Sequence, residues 1–269
     1  MKLLKKLLPI LAILLLVLAV IFLTKNKPAT ITFLTPKNNL SKFAVFSDIH
    51  SNYKNLEKAL AIAKSEQVEF IVITGDLTTV GNKSELLKVK NILDSNSLKY
   101  YAIPGNHDLW LSRKIKANIW QEVFRTEYQS FKNQNQKFIL INNGEEYVGI
   151  SKEQWQWLEA ELQECPQIIC LVFMHEPLNH PSSIHVMGEQ NLAVASQAAK
   201  LVKMLNNNQV KEVFAGHLHF SSTYEIDGIK TTIIGAVTDD RNPQLPRFLE
   251  IISNTERKEI ILDISQNMD

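Results

Sequence analysis

The chain has 269 residues, of which 45% are hydrophobic and 21% are charged, and its formal net charge is +1 at pH 7. This composition is that of a folded domain, and neither disorder nor a repeat is needed to explain it. The near-zero net charge excludes a general electrostatic attraction to nucleic acids, so any anion must be recognised by a local group of residues.

The N-terminus is far more apolar than the rest of the chain. The run from Leu7 to Leu23 is interrupted only by Pro9, and lysines stand on both sides of it. It barely spans a hydrocarbon core unless Leu3 and Leu4 or bilayer thinning contribute. A cleaved signal peptide would end in a small-x-small site, which is missing here. We therefore expect an uncleaved signal anchor over residues 1–27 and a juxtamembrane linker over residues 28–41. A cleaved signal peptide and a buried core helix are the alternatives.

The short basic tail ahead of the apolar run predicts the orientation of the chain. Such a tail before a first hydrophobic segment usually stays in the cytoplasm. We therefore expect a single-pass protein of the cell membrane, with its folded domain, residues 42–269, outside the cytoplasm. The membrane is then one of its partners, and nothing in the sequence bears on its oligomeric state.

Strand and helix patterns alternate from residue 43 onward. Stretches rich in Val, Ile and Phe predict strands, and apolar residues three or four apart predict helices between them. We expect strands at 43–47, 68–74, 98–103 and 137–142, and helices at 52–66, 84–96 and 113–131. This βαβαβ start predicts a mainly parallel sheet.

The second half continues the alternation and then becomes richer in strands. Ser151 and Gln154 form a capping-box pattern, which predicts that a helix begins there. Asp227 and Gly228 predict a tight hairpin. The expected elements are strands at 168–174 and 210–215, a helix at 192–205, and the antiparallel pairs 224–226 with 229–234 and 248–252 with 259–264. These pairs indicate a second, more antiparallel sheet packed on the first.

The two cysteines, Cys165 and Cys170, are expected to be unpaired thiols. They are five positions apart around Pro166, at the approach to a predicted strand. An extended chain of that length would hold the two sulfurs beyond disulfide reach. We therefore expect Cys170 to lie in the core as a small apolar side chain.

Residues of the kinds that bind metals follow the predicted strands. Each block alone has the composition of an ordinary turn, but together they place imidazoles, carboxylates and a carboxamide at strand carboxyl ends, where ligands bind in α/β sheets. We expect the strands before the first four blocks to lie in one parallel sheet. The lack of cysteine ligands favours an open nitrogen and oxygen site over a structural zinc site. The blocks are Asp48-Ile49-His50, Gly75-Asp76, Gly105-Asn106-His107-Asp108, Met174-His175 and Gly216-His217-Leu218-His219.

This ordered set of blocks, from about Ala44 to about Gly235, resembles the calcineurin-like metallophosphoesterase superfamily. The resemblance implies a four-layer α/β/β/α sandwich with a dinuclear metal site between its two sheets. It also implies a role for each residue: Asp48, His50 and His219 hold one metal, Asn106, His175 and His217 hold the other, Asp76 bridges them, and His107 is a catalytic non-ligand oriented by Asp108.

Two features narrow the resemblance. Thr79 stands where purple acid phosphatases have a tyrosine ligand, three residues after the bridging Asp, so an iron–tyrosinate centre is not expected. The segment from Ser151 to Leu158 and the compact size are similar to the bacterial cyclic-nucleotide phosphodiesterase branch.

The expected function is metal-dependent hydrolysis of phosphomonoesters or phosphodiesters. Two divalent ions would present a bridging hydroxide and clamp the phosphoryl oxygens, while His107 would protonate the leaving alkoxide or stabilise charge. Mn, Fe and Zn all suit such a donor set. The alternative is a catalytically silent member of the fold that serves as a binding module at the membrane. The presence of His107 and of all seven inferred ligands argues against that alternative.

Overall fold

A computed structural model describes residues 41–252 and 256–262 of the chain. The predicted anchor over residues 1–27, and all but the last residue of the predicted linker, lie outside these ranges. Among the residues that are described, no helix has the length and apolar character needed to cross a membrane.

Strands and helices alternate through the described chain, as the apolar periodicity predicts. The strands are β1 (Phe43–Phe46), β2 (Phe70–Ile73), β3 (Lys99–Ala102), β4 (Gln129–Asn133), β5 (Gln136–Leu140), β6 (Ile169–Phe173), β7 (Glu212–Ala215), β8 (Ser222–Ile226), β9 (Ile229–Ile233), β10 (Arg247–Ile251) and β11 (Arg257–Ile261). The helices are α1 (Tyr53–Ser65), α2 (Lys83–Ser95), α3 (Asn106–Ile115), α4 (Ile119–Phe124), α5 (Lys152–Leu162) and α6 (Leu192–Asn207).

The strands form two mixed sheets. The first has the order β11-β10-β1-β2-β3, in which β1, β2 and β3 are parallel and β10 is antiparallel to β1. The second has the order β4-β5-β6-β7-β9-β8, with parallel strands in its centre and an antiparallel strand at each edge. The predicted βαβαβ start is therefore the parallel part of the first sheet.

The expectation of one parallel sheet and a separate antiparallel sheet is wrong. Strand β6, which leads to His175, belongs to the second sheet, and the two C-terminal hairpins are divided between the sheets. The physical reason is that strands buried on both faces, such as the apolar β6, carry no alternation in sequence that would assign them to either sheet.

Apolar side chains between and outside the sheets hold the layers together. Phenylalanines from both sheets fill the space between them, and the rings of Phe43 and Phe138 lie 5.1 Å apart, edge to face. Leu56 of α1 packs in the cluster on the outside of the first sheet, and Leu201 of α6 in the cluster on the outside of the second. Full burial of each such side chain contributes roughly 1.5–3 kcal/mol.

The predicted helix over residues 113–131 is wrong. Helix α3 already begins at Asn106 and ends where Lys116 takes a left-handed conformation, with φ of 53°. After the short α4, strand β4 pairs antiparallel with β5. The ring of Phe131 stacks 3.6 Å from Tyr101 and 4.8 Å from Phe138. This contact between distant residues favours the strand, and the local apolar spacing does not reveal it.

The expectation of two unpaired thiols is also wrong, because Cys165 and Cys170 form a disulfide. The chain does not extend directly from α5 into β6. It turns tightly, with the Cys165 amide donating to Leu162 O and the Gln167 amide donating to Glu164 O. The turn brings the two Cα atoms to 5.3 Å, within disulfide reach. Cys170 is fully buried, as expected.

Candidate metal centre

The loops that follow β1 and β2 present the carboxylates and one imidazole of the site. Asp48, His50 and Asp76 all have left-handed backbones, with φ of 53°, 45° and 51°. The backbone is therefore not extended from Asp48 to His50. Instead, the Ile49 and His50 amides both donate to Asp76 O, at 2.8 and 2.9 Å, which joins the two loops. A left-handed non-glycine residue costs on the order of 1–3 kcal/mol, and such strain concentrates at functional sites.

The second sheet supplies three further imidazoles from the ends of β6 and β7. His175 is fully buried, and His217 and His219 have left-handed backbones, with φ of 71° and 57°. The His217 amide donates to both oxygens of Asp48, at 3.2 and 3.0 Å. This bond connects the two sheets at the site.

All seven predicted ligands lie in one place. Asp48, His50 and His219, which we call the first donor group, have ligand atoms within 4.8 Å of one another. The same holds for Asp76, His175 and His217. The Asn106 Oδ1 atom lies 2.9 Å from His175 Nε2, and we call Asn106, His175 and His217 the second donor group. Asp76 Oδ2 lies between the two groups, 3.4 Å from His50 Nε2 and 3.3 Å from His175 Nε2.

Backbone carbonyls define which imidazole nitrogens can bind a metal. Thr74 O lies 2.9 Å from His175 Nδ1, and Asp240 O lies 3.2 Å from His219 Nδ1. Because a carbonyl only accepts, each Nδ1 carries the proton and the Nε2 lone pair of the neutral ring is free. His50 Nε2 faces His219 Nε2 at 3.1 Å. Two lone pairs at this distance repel each other unless a proton or a metal lies between them, so this donor set fits a cation.

Burial and charge set the protonation of these groups. Burial lowers the pKa of His50 to about 4 and that of His217 to about 3, so both imidazoles are neutral at neutral pH. Burial also lowers the pKa of His175, but the Asp76 carboxylate outweighs it and raises that pKa to about 10. Burial raises the pKa of Asp76, whereas the charge on His175 outweighs it and holds that pKa well below its usual range. The raised pKa of His175 means that its Nε2, which faces Asp76 Oδ2, also carries a proton at neutral pH. A divalent ion between Asp76 and His175 would compete with this proton.

His107 lies at the edge of the site. It is partly exposed, as is His217, whereas His50, His175 and His219 are buried. Its Nδ1 atom is 2.7 Å from Thr79 O, which leaves Nε2 available for a proton. Its ring centroid is 4.6 Å from that of His50. His107, His50 and Asp76 also have possible ligand atoms within 4.8 Å of one another.

Asp108 does not orient His107 through a direct contact. Its fully buried carboxylate accepts from the amides of Leu77, Thr78 and Gly105 at 3.0, 2.8 and 3.0 Å. Burial raises the pKa of Asp108 to about 6, and these bonds oppose that rise. Asp108 thus holds the backbone of Leu77 and Thr78, and the following residue, Thr79, contacts His107 through its carbonyl oxygen. The link from Asp108 to His107 therefore runs through the backbone of residues 77–79.

Gly105 is needed where the loops approach most closely. A Cβ atom there would lie 2.2 Å from Asp76 Oδ1 and 2.5 Å from the Asp76 amide nitrogen. No side chain fits at that distance without displacing the predicted bridging ligand.

Several residues around the ligands were missed in the sequence. Glu146 accepts from Asn106 Nδ2 at 3.1 Å, and the buried Glu176 follows His175. Burial raises the pKa of Glu176 to about 8. Glu146 is forty positions from its partner, and the carbonyls of Thr74, Thr79 and Asp240 act through backbone atoms that every residue has. No local sequence signal identifies such groups.

Two mixed sheets with helices outside, and a nitrogen and oxygen donor set where the sheets meet, define a sandwich protein with a candidate dinuclear metal centre. The calcineurin-like phosphoesterase family profile matches residues 41–221. The chain belongs to this family, which confirms the resemblance found in the sequence.

Relatives of known name are distant. The chain is 29% identical over 171 residues to a probable glycerophosphodiester phosphodiesterase of Arcobacter nitrofigilis, and the match covers 58% of each protein. It is 26% identical over 156 residues to a 3′,5′-cyclic-nucleotide phosphodiesterase of Nostoc sp., covering 57% of this chain and 56% of that protein. These matches span less than two thirds of either relative.

Solved structures support the fold. A purple acid phosphatase from yellow lupin seeds aligns with a TM-score of 0.58 at 13% identity, over 78% of this chain and 48% of that one. A protein of Thermus thermophilus aligns with a TM-score of 0.56 at 13% identity, over 82% of this chain and 99% of that one. At this identity the likeness concerns the sandwich alone.

Proposed function

We propose that the chain hydrolyses phosphate esters at a dinuclear metal centre. The observation that carries this proposal is the position of Asp76 Oδ2, within 3.4 Å of an imidazole nitrogen from each donor group. Two divalent ions held there would lower the pKa of a water and clamp phosphoryl oxygens for in-line attack. Their charge would exceed that of Asp48, Asp76 and a hydroxide together, so the loaded site would attract phosphate.

His107 is the proposed proton donor to the leaving oxygen. The bond from Nδ1 to Thr79 O fixes the ring and directs Nε2 away from the backbone. Because Thr79 O accepts from both the neutral and the protonated ring, the histidine can release and regain a proton at Nε2 without losing its orientation.

Phosphodiesters are the first substrates to test. The named relatives are phosphodiesterases for glycerophosphodiesters and for cyclic nucleotides. Phosphomonoesters remain within the proposal, because the donor groups act on the phosphoryl centre that both ester classes share. We propose Mn, Fe or Zn as the metals, since imidazole and carboxylate ligands suit all three.

We also propose that residues 1–27 anchor the chain in the cell membrane, with the phosphoesterase domain outside the cytoplasm. The apolar run from Leu7 to Leu23 and the Cys165–Cys170 disulfide support this proposal. Disulfides persist in oxidising compartments and are rare in the cytosol. Protease added to intact cells should digest the domain. Digestion only after permeabilisation would contradict the orientation.

The test of activity uses the full-length protein in detergent. Metal content is measured first, followed by turnover of generic phosphomonoesters and phosphodiesters with Mn, Fe and Zn. We expect two metals per chain and hydrolysis of at least one ester class. Two bound metals without turnover under any condition would instead favour a silent binding module.

A further inference from the structure

The carboxamide of Asn106 has two ends of similar shape and different chemistry. Its oxygen can bind a metal, whereas its nitrogen carries two protons and cannot. Asn106 is buried at the start of α3. To act as a ligand, Asn106 must direct its Oδ1 atom toward His175 and His217. A neighbouring group must therefore prevent the rotation of the carboxamide that exchanges Oδ1 and Nδ2.

Glu146 selects one orientation of this amide. Its Oε1 atom accepts from Asn106 Nδ2 at 3.1 Å, while Asn106 Oδ1 lies on the opposite side, 2.9 Å from His175 Nε2. An ionised carboxylate only accepts hydrogen bonds. If the amide turned over, its oxygen would face the Glu146 carboxylate and repel it.

Arg113 in turn holds Glu146 in place. It lies on the same helix as Asn106, and its Nη1 atom is 3.0 Å from Glu146 Oε2 while Nη2 donates to Asn106 O at 3.3 Å. The guanidinium lies over the rings of Trp110 and Tyr147, at 6.0 and 5.6 Å from their centroids. The side chains of Arg113 and Glu146 are 18% and 20% exposed, so water screens their pairing only in part.

We infer that Arg113 and Glu146 are positioning residues that keep the Asn106 oxygen directed at the metal of the second donor group. This inference rests on the proposed dinuclear centre. Neither residue would touch the substrate or the metal. Their removal should therefore weaken the binding of one metal and leave the other, which Asn106 does not contact, nearly unchanged.

Glu145 provides a matched control. It has the neighbouring position, a similar exposure of 22%, and the same partner, with Arg113 Nη1 at 3.4 Å from its Oε1. In the described part of the chain, however, its side chain makes no hydrogen bond to Asn106. A merely structural effect of losing a carboxylate beside Arg113 would appear in Glu145→Gln as well.

The experiment is an equilibrium titration of the metal-free, full-length protein with Mn²⁺, without substrate. Wild type is expected to bind two ions. Glu146→Ala should weaken one of them by about 10- to 100-fold, as is typical when an outer partner of a ligand is lost. Glu146→Gln should lose less, because its amide oxygen can still accept from Asn106. Glu145→Gln should bind both ions as wild type does.

A double-mutant cycle assigns the effect to Asn106. In an Asn106→Ala background, Glu146→Ala should have little further effect on metal affinity, since the group it positions is gone. Equal losses in Glu146→Ala and Glu145→Gln, no loss in Glu146→Ala, or an additive loss in the double variant would each overturn the inference. Failure of wild type to bind two ions would overturn the proposed function itself, and this inference with it.

Discussion

The two donor groups differ in how their ligands are supported. In the second group, His175 donates to Thr74 O and Asn106 donates to Glu146, so outer contacts orient both. In the first group, His219 has a comparable contact with Asp240 O and Asp48 accepts from the His217 amide, but the buried His50 Nδ1 finds no hydrogen-bond partner among the described residues. Outer partners preorganise ligands and raise metal affinity. We therefore expect the second group to bind its metal more tightly.

Backbone strain points to the same difference. Each residue of the first group has a left-handed backbone, whereas only His217 does so in the second. Holding such conformations costs free energy that the surrounding contacts must offset. The first group thus has more backbone strain, and it contains the buried imidazole nitrogen of His50 that has no hydrogen-bond partner among the described residues. Its metal should be the first to leave on dilution, and the centre should not behave as two equal sites.

The largest effect is expected from Asp76→Asn, which removes the carboxylate between the two groups. Both metals should be lost or severely weakened, and turnover should fall by about 10⁴-fold or more, because the residues of the site act as a unit. Metal analysis and steady-state kinetics check this. Asp227→Asn, at an exposed carboxylate in the turn between β8 and β9, should change neither quantity. Loss of only one metal from Asp76→Asn would show that Asp76 does not join the two groups.

His175→Ala and His219→Ala should separate the two donor groups. Each variant should retain one metal per chain at saturating Mn²⁺. The ion retained by His175→Ala, in the first group, should dissociate more readily than the ion retained by His219→Ala. Competition with a chelator measures the two affinities. The reverse order, or equal affinities, would contradict the comparison between the groups.

His107→Ala should have a smaller effect, confined to catalysis. The loss of a positioned proton donor should lower kcat by about 10²- to 10⁴-fold while both metals stay bound. His185→Ala, at a loop histidine with 64% exposure, is the control and should leave kcat unchanged. If His107→Ala loses a metal, the group of His107 with His50 and Asp76 is the real ligand set.

The predictability of the two groups was unequal. Strand and helix patterns around Asp48, Asp76 and Asn106 were located from sequence because each helix of the βαβαβ start carries a regular apolar stripe. The assignment of β6 and β7 to the second sheet could not be predicted, because their apolar runs lack alternation. The family resemblance therefore predicted residues that the structure brings together, whereas the argument from strands wrongly placed the strands before the first four blocks in one sheet.

The hydrogen bonds that orient the candidate ligands could not be predicted from the sequence at all. Glu146 resembles any surface glutamate in sequence, and its role depends on its distance to Asn106 after folding. The left-handed conformations of His50 and His219 were also missed, since histidine has no turn signal as strong as that of glycine. The candidate ligands can thus be predicted from sequence, whereas their orientation arises from tertiary contacts.

The smallest effect concerns the disulfide, which links the end of α5 to β6, the strand that leads to His175. Closing so short a loop should stabilise the fold by about 2 kcal/mol in the chain-entropy account. Reduction should therefore lower the denaturant midpoint by a corresponding amount while both metals stay bound, because the bond lies at the opposite end of β6 from His175. Denaturant unfolding with and without dithiothreitol measures the shift. The double variant Cys165→Ser, Cys170→Ala is the control and should not respond to dithiothreitol. Metal loss on reduction would mean that the second donor group depends on this distant link, and its expected higher affinity would then hold only in an oxidising compartment.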